Sequence, residues 1–226
     1  MALPGHGFLA IWNDVAPVSE AEWLDWHTVE HIPERVGVPG FLGGRRYVDP
    51  ALDHHRYFTL YLGESLATFG SPPYVERLNH PTPWTAKLAP HFRNFVRGAC
   101  HRIASAGKGT GGAILTVRVG VGQPSLDLAA ANAFLQKIVA GPGVLAAHIG
   151  LADASVTGVP TRERSLRGAT QEPVFEGVVL VEGLGRRELT AARAGIAQAI
   201  TAAGLGLTPA ETAIYDLSIA LDKPQL

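Results

Sequence analysis

The chain has 226 residues, 46% of them hydrophobic, and a formal net charge of −1 from 19 basic and 20 acidic side chains. It is long enough to bury a substantial core as one large domain or two of about 110 residues each, and its balanced, unblocked charge argues against a nucleic-acid partner. One cysteine, Cys100, excludes an intrachain disulfide framework. No apolar run approaches the ~20 residues of a membrane span, and no basic-then-apolar leader opens the sequence, so the expected location is cytoplasmic.

In chain order, Phe8–Trp12 reads as an apolar strand. Ser19 three positions before Glu22 makes a capping box, and Trp23, Trp26, Val29 and Ile32 recur at helical spacing, so a helix is predicted from Ser19 to Arg35. Pro33, Gly37, Pro39 and Gly40 end it. Strands follow at Phe41–Val48 and Arg56–Leu62. One or two short helices are expected in the proline- and aromatic-rich stretch Ser71 to Phe92, then a strand at Asn94–Ile103. Cys100 lies in that strand-like run, where a buried inert thiol is the ordinary expectation.

After the glycine-rich segment 106–112 the same order returns: a strand at Ala113–Val119, a helix from Ser125 to Val139, strands at Val144–Leu151 and Val174–Val181, a helix from Arg186 to Ala203, and a strand at Ala213–Leu221. Each half is β-α-β-β-α-β. The predicted organisation is two ferredoxin-like units, 1–105 and 113–226, joined by 106–112. Their bare sheet faces pack together in an intrachain α+β barrel with a cavity between the sheets.

If the purely apolar set of each strand faces the helices, period-2 alternation assigns that cavity's lining. Leu42 and Val48 would face the helices, with Arg45 and Tyr47 inward. Phe58, Leu60 and Leu62 would be core, leaving Tyr57, Thr59 and Tyr61 for the cavity. Trp12 joins them if Leu9 and Ile11 are core. The strand around Arg97 divides ambiguously, and Arg118, His148, Glu176 and Asp216 interrupt the strands of the second half, at inward or solvated positions.

The chemistry is concentrated in the first long helix. His27 and His31, four apart, share a helical side with Glu30 and Glu34 beside them. His-x-x-Glu-His formally matches the inverzincin zinc motif, but the third protein ligand of a catalytic zinc is missing, so no metal is assigned. Histidine as general acid or base, tuned by neighbouring carboxylates, is the main reading; structural or solvated histidines are the alternative. The segment Gly107 to Gly112 lacks the Walker spacing and is read as a linker, and Gly-x-Ser-x-Gly is absent.

Trp26 with Glu30-His31-Ile32-Pro33-Glu34, Val38-Pro39-Gly40-Phe41, Arg45-Arg46-Tyr47, Tyr57 to Tyr61, Ser71-Pro72-Pro73-Tyr74 and Pro81-Thr82-Pro83-Trp84 resemble the dimeric α+β-barrel superfamily of ferredoxin-like units, within it the EthD-like group. The second half resembles it only in its order of elements and lacks the Trp…Glu-His-x-Pro helix, which implies a degenerate copy and one working site. The resemblance implies a menu of activities, from isomerases and cyclases to cofactor-free monooxygenases and haem-dependent enzymes. It carries His31 over as functional, whereas His27 stands where relatives often have an aromatic residue.

The leading expectation is a cofactor-independent lyase or isomerase acting beside the carbonyl of a small ring-bearing or lactone-like compound. His31 would be its base, Arg45 and Tyr61 would stabilise the oxyanion, His27 or His80 would return the proton, and Glu30 would assist. Trp12, Trp26, Tyr47, Tyr74, His80 and Trp84 would bind substrate. One alternative is a haem-dependent or cofactor-free oxygenase or dehydratase, with Asn13 contacting oxygen. Another is a non-catalytic small-molecule-binding protein, with Asp153 to Pro173, carrying Arg162, Glu163, Arg164 and Arg167, as a lid or a plain surface excursion. The expected partner is a small molecule, with neither nucleic acid nor membrane, and a homodimer of the tandem chain is a further expectation.

Overall fold

The alternation of apolar and polar side chains in eight extended runs is resolved by curling them into one closed sheet. The computed structural model describes residues 3–122, 126–168 and 174–224. Its strands are β1 (Gly7–Val15), β2 (Phe41–Val48), β3 (Tyr57–Gly63), β4 (Phe92–Gly107), β5 (Ala113–Val121), β6 (Val144–Ala152), β7 (Gly177–Gly183) and β8 (Leu207–Asp222). They close in the order β1-β3-β2-β8-β5-β7-β6-β4. Each half contributes a four-stranded ferredoxin-like sheet, and the antiparallel pairs β2–β8 and β4–β6 join the two. The fold is therefore an α+β chain built on an eight-stranded antiparallel barrel, as the element order predicts.

The long helix departs from the prediction. It runs as α1 (Glu20–Trp26), a π turn (His27–His31) and α2 (Ile32–Gly37), two residues past Arg35. Ser19 holds the N-cap position but makes no side-chain cap bond. Pro33 has no N–H to return to the turn before it, and the Thr28 hydroxyl donates to Leu24 O at 2.7 Å, so a widened turn accommodates the interrupted ladder. The proline-rich stretch forms α3 (Pro72–Asn79) and α4 (Pro83–Leu88), each with proline in its first turn, where the missing N–H costs nothing. In the second half α5 (Leu128–Val139) starts from an Asp127 cap, and the sequence-expected start, Ser125, lies outside the described residues. The helices α6 (Ala154–Thr157), α7 (Arg162–Leu166) and α8 (Arg186–Ala202) complete the set. No helix among the described residues is long and apolar enough to cross a membrane.

The barrel axis is filled. One cluster draws Phe8, Trp12, Tyr47, Phe58, Leu60 and Cys100 from the first half and Ile114, Val178, Leu180 and Tyr215 from the second, all on strands. An eight-stranded barrel is just wide enough for its own side chains, and this cluster occupies the space between the sheets where a cavity was expected. The facing of β3 is the reverse of the expectation: Phe58, Leu60 and Leu62 point along the barrel axis, and Tyr57 and Tyr61 join clusters with the helices. Of β2, Val48 packs on the helix side as expected, whereas Leu42, beyond a bulge, packs against the barrel cluster.

One ionic group survives inside. Glu182, fully buried on β7, accepts from Arg45 Nη1 at 3.1 Å, from the Tyr47 hydroxyl at 3.3 Å and from the Gly111 amide at 3.1 Å. Burial pushes the Glu182 carboxyl up, and Arg45 opposes that shift. Glu182→Leu alone takes the carboxylate away from the buried Arg45 guanidinium and is expected to cost about 3–5 kcal/mol in urea melts, with most of the loss recovered in the Arg45→Met, Glu182→Leu double variant.

Candidate functional site

Between the first-half sheet and its helices the packing is incomplete. A cavity of ≈ 570 Å³, mouth included, is lined by Asn13 of β1, Trp23 and Trp26 of α1, His27 and His31 of the π turn, Arg35 of α2, Thr59 and Tyr61 of β3, and Arg97 of β4. Its enclosed core, ≈ 50 Å³, has room for roughly three or four waters. In the corresponding layer of the second half, Ala131, Phe134, Leu135, Leu189, Ile196 and Ile200 pack onto the strands as an apolar cluster.

The histidines stack among indoles. His27 lies 4.7 Å from the Trp23 ring at 15°, His31 lies 4.3 Å from Trp26 at 34°, and the two imidazoles are 5.6 Å apart. Arg46 Nη1 approaches His27 Nδ1 at 3.5 Å, which makes that nitrogen the acceptor and leaves the proton on Nε2. Burial, then the Arg46 and Arg35 charges, hold His27 well below the ordinary imidazole range. Burial, then Arg35, His27 and Arg167, do the same to His31. Both imidazoles are therefore neutral at pH 7.

Four buried polar atoms on lining residues have no hydrogen-bond partner: His31 Nδ1, Tyr61 Oη, Trp23 Nε1 and Arg97 Nε. Tyr61 is held protonated, its pKa raised chiefly by burial. In a packed protein nearly every buried polar atom is satisfied, so four such atoms around one aromatic cavity mark a place for a ligand.

Of the excursion expected as a lid, residues 153–168 are described, and 169–173 lie outside the described residues. From the second half, α7 lies over the cavity. Glu163, 5% exposed, pairs with Arg35, which also bonds Glu34 at 3.1 Å, and the Arg167 guanidinium sits 4.2 Å from the Phe95 ring.

Of the residues singled out from sequence, His27, His31, Trp26, Tyr61 and Tyr74 meet at this cavity, with Asn13. The others lie elsewhere. Glu30 accepts from Trp26 Nε1 at 3.1 Å and the Thr82 hydroxyl at 2.6 Å, so it fixes an indole rather than facing the cavity. Arg45, Trp12 and Tyr47 belong to the barrel interior, where Trp12 Nε1 reaches Thr116 Oγ1 at 3.4 Å. His80 is exposed beside Glu76, and Trp84 donates to Glu22 at 3.0 Å. Sequence reasoning missed Arg35, although His27, His31 and Arg35 form an i, i+4, i+8 column that points to one shared face. Trp23, placed from sequence only as an apolar position of the helix, lines the cavity as well.

The donor set does not suit a metal or a haem. Among the described residues no three His, Cys, Asp or Glu side chains converge as ligands. Ligating histidines ordinarily donate their second ring N–H to a carboxylate, carbonyl or water; His27 Nδ1 faces a guanidinium and His31 Nδ1 has no partner.

No protein-family model matches the chain, and no curated protein matches it by sequence. Similar solved structures include an anthrone oxidase-like protein, 12% identical over 96% of this chain and 92% of that one, with a TM-score of 0.63. A candidate monooxygenase from Fusobacterium nucleatum subsp. nucleatum is 13% identical over 98% and 97%, with a TM-score of 0.57. A mutant chlorite dismutase from Candidatus Nitrospira defluvii, solved in complex with cyanide, is 9% identical over 96% and 92%, with a TM-score of 0.55. At these identities the likeness establishes the dimeric α+β-barrel fold; an EthD-like placement within it does not emerge.

The lyase or isomerase expectation is overturned. The neighbours carry oxidative names, and the oxyanion pair that reaction required is split, Arg45 inside the barrel and Tyr61 on the opposite face of the sheet.

Acid should unfold the protein through its neutral histidines. In the unfolded chain they protonate near pH 6.5, whereas folded His27 is held well lower and His148, buried on β6, is pushed down to about 3. The unfolded state then binds more protons, so stability is expected to fall as pH drops below about 6.5, by up to about 1.4 kcal/mol per pH unit for each such histidine. Urea melts from pH 7.5 to 4.5 measure the slope, and His27→Phe should flatten it.

Proposed function

We propose that the chain is a cofactor-free oxygenase acting on a planar, electron-rich phenol or its keto tautomer. The observation that carries the reading is the set of unpartnered polar atoms, a neutral imidazole among them, inside an aromatic-walled cavity. The anthrone oxidase-like and monooxygenase names of its structural neighbours supply the class of chemistry to test.

His31 is the base. Its neutral imidazole takes a proton from the activated ring carbon or hydroxyl, and the Tyr61 hydroxyl donates to the oxyanion that develops. Trp23 and Trp26 hold the ring flat. The substrate anion supplies the electrons itself: it passes them to dioxygen, a carbon–oxygen bond forms as a peroxide, and imidazolium returns the proton. Loss of water then leaves a carbonyl, so CH₂ plus O₂ gives C=O plus H₂O. Asn13, whose amide donates to Asp14 O at 3.2 Å, sits on the wall where dioxygen would approach.

An oxygen electrode with a panel of anthrones, naphthols and hydroquinones tests this. One O₂ per substrate is expected without added cofactor, with His31→Gln slowed ~10²–10⁴-fold. Uptake no faster than in buffer across the panel, or a His31→Gln rate within threefold of wild type, removes the assignment. Haem titration that gives a stoichiometric Soret band, lost in His31→Ala, replaces it with haem chemistry.

A further inference from the structure

Arg97 carries a charge that no carboxylate among the described residues pairs with. It sits on β4 opposite Ile11 of β1, is 8% exposed, and points to the helix side of the sheet into the cavity. Among the described residues its hydrogen bond runs from Nη2 to the Tyr74 hydroxyl at 3.3 Å, over whose ring the guanidinium lies at 5.9 Å. Nε is buried without a partner, and no carboxylate among the described residues pairs with it. The one carboxylate on the cavity wall, Glu163, is committed to Arg35. A buried guanidinium without an anion is costly, and its planar fork is the shape that receives two oxygens of a carboxylate.

Its position adds a second observation. Arg97 also lines a wider groove with Gly98, Leu151, Ala152, Phe175 and Glu176, so it stands at the boundary between the inner cavity and the outside. Glu176 in that groove is turned to the Val121 amide at 2.5 Å. A ring-bearing ligand in the inner cavity would share its lining with Arg97, so a ring substituent has this boundary within its walls.

From this arrangement we infer that Arg97 is the anchor for a carboxylate carried by the ring-bearing ligand, so that the site selects aromatic acids over their neutral counterparts. The inference rests on the proposed reading only in taking this cavity as the substrate site; it does not depend on the oxidation.

The test is binding without turnover. Under argon, 2-naphthoate and 2-naphthamide are titrated into the full chain, with quenching of tryptophan fluorescence as the readout, since Trp23 and Trp26 line the cavity. Naphthoate should bind roughly tenfold or more tightly than the isosteric amide, the factor expected of a charge-assisted hydrogen bond. It should also raise the melting temperature where the amide does not. Arg97→Gln should abolish the preference while melting at or above the wild-type temperature, because no ion pair is lost. Arg97→Lys, which retains charge without the fork, should keep only part of the preference and serves if the glutamine variant does not fold. Equal affinity for acid and amide, or a preference that persists in a folded Arg97→Gln, overturns the assignment. Because no oxygen is consumed, failure of the oxygenase reading leaves this result standing, and the converse holds.

Discussion

Everything in this molecule depends on how much room an eight-stranded barrel leaves at its axis. Closure removes every sheet edge, but the interior is narrow and has to be filled by the strands' own side chains. Trp12, Phe58, Tyr47 and Tyr215 fill it from both halves. The apolar alternate residues of β3 are drawn inward by that demand, and the hydroxyl-bearing set, Tyr57, Thr59 and Tyr61, is turned to the helices. The aromatic cavity lies on the outer face of the barrel wall, under the helices, while side chains of both halves pack along the axis. The group Glu182, Arg45 and Tyr47 is tolerated at the axis because each member satisfies another.

The helix layer is then where the two halves diverge. In the second half alanine, leucine and isoleucine of α5 and α8 close onto the sheet and leave nothing polar behind. In the first, a π turn carries His27 and His31 toward the sheet with Trp23 and Trp26 stacked on them, and burial, reinforced by Arg35 at both and by Arg46 at His27, keeps the imidazoles unprotonated. The second half still contributes to this region: α7 reaches across, and Glu163 answers Arg35. The asymmetry gives a physical basis for one cavity on a doubled plan.

The legibility of the site was uneven for a definite reason. The His27/His31 column and its tryptophans could be read because helical spacing is a local property. The i+8 extension to Arg35 was equally readable and was overlooked. Arg45 and Tyr61 were grouped as partners because each interrupts an apolar strand. They lie on opposite faces of the sheet, Arg45 along the barrel axis with Phe58 and Leu60, Tyr61 against the helices. Glu182 could not be singled out at all, since it ends a hydrophobic run and its partners are Tyr47, Arg45 and the Gly111 amide, all distant in sequence.

By itself the sequence determined the elements, their doubled order and hence the α+β barrel, because strand and helix periodicities and turn residues are short-range signals. It also determined that the first half holds the His27/His31 helix column and the second does not. Only the tertiary structure decided which face of each strand is buried along the axis, that the space between the sheets is full, and that the cavity lies under α1 and α2. Those outcomes follow from barrel closure, a global condition on volume that no local window contains.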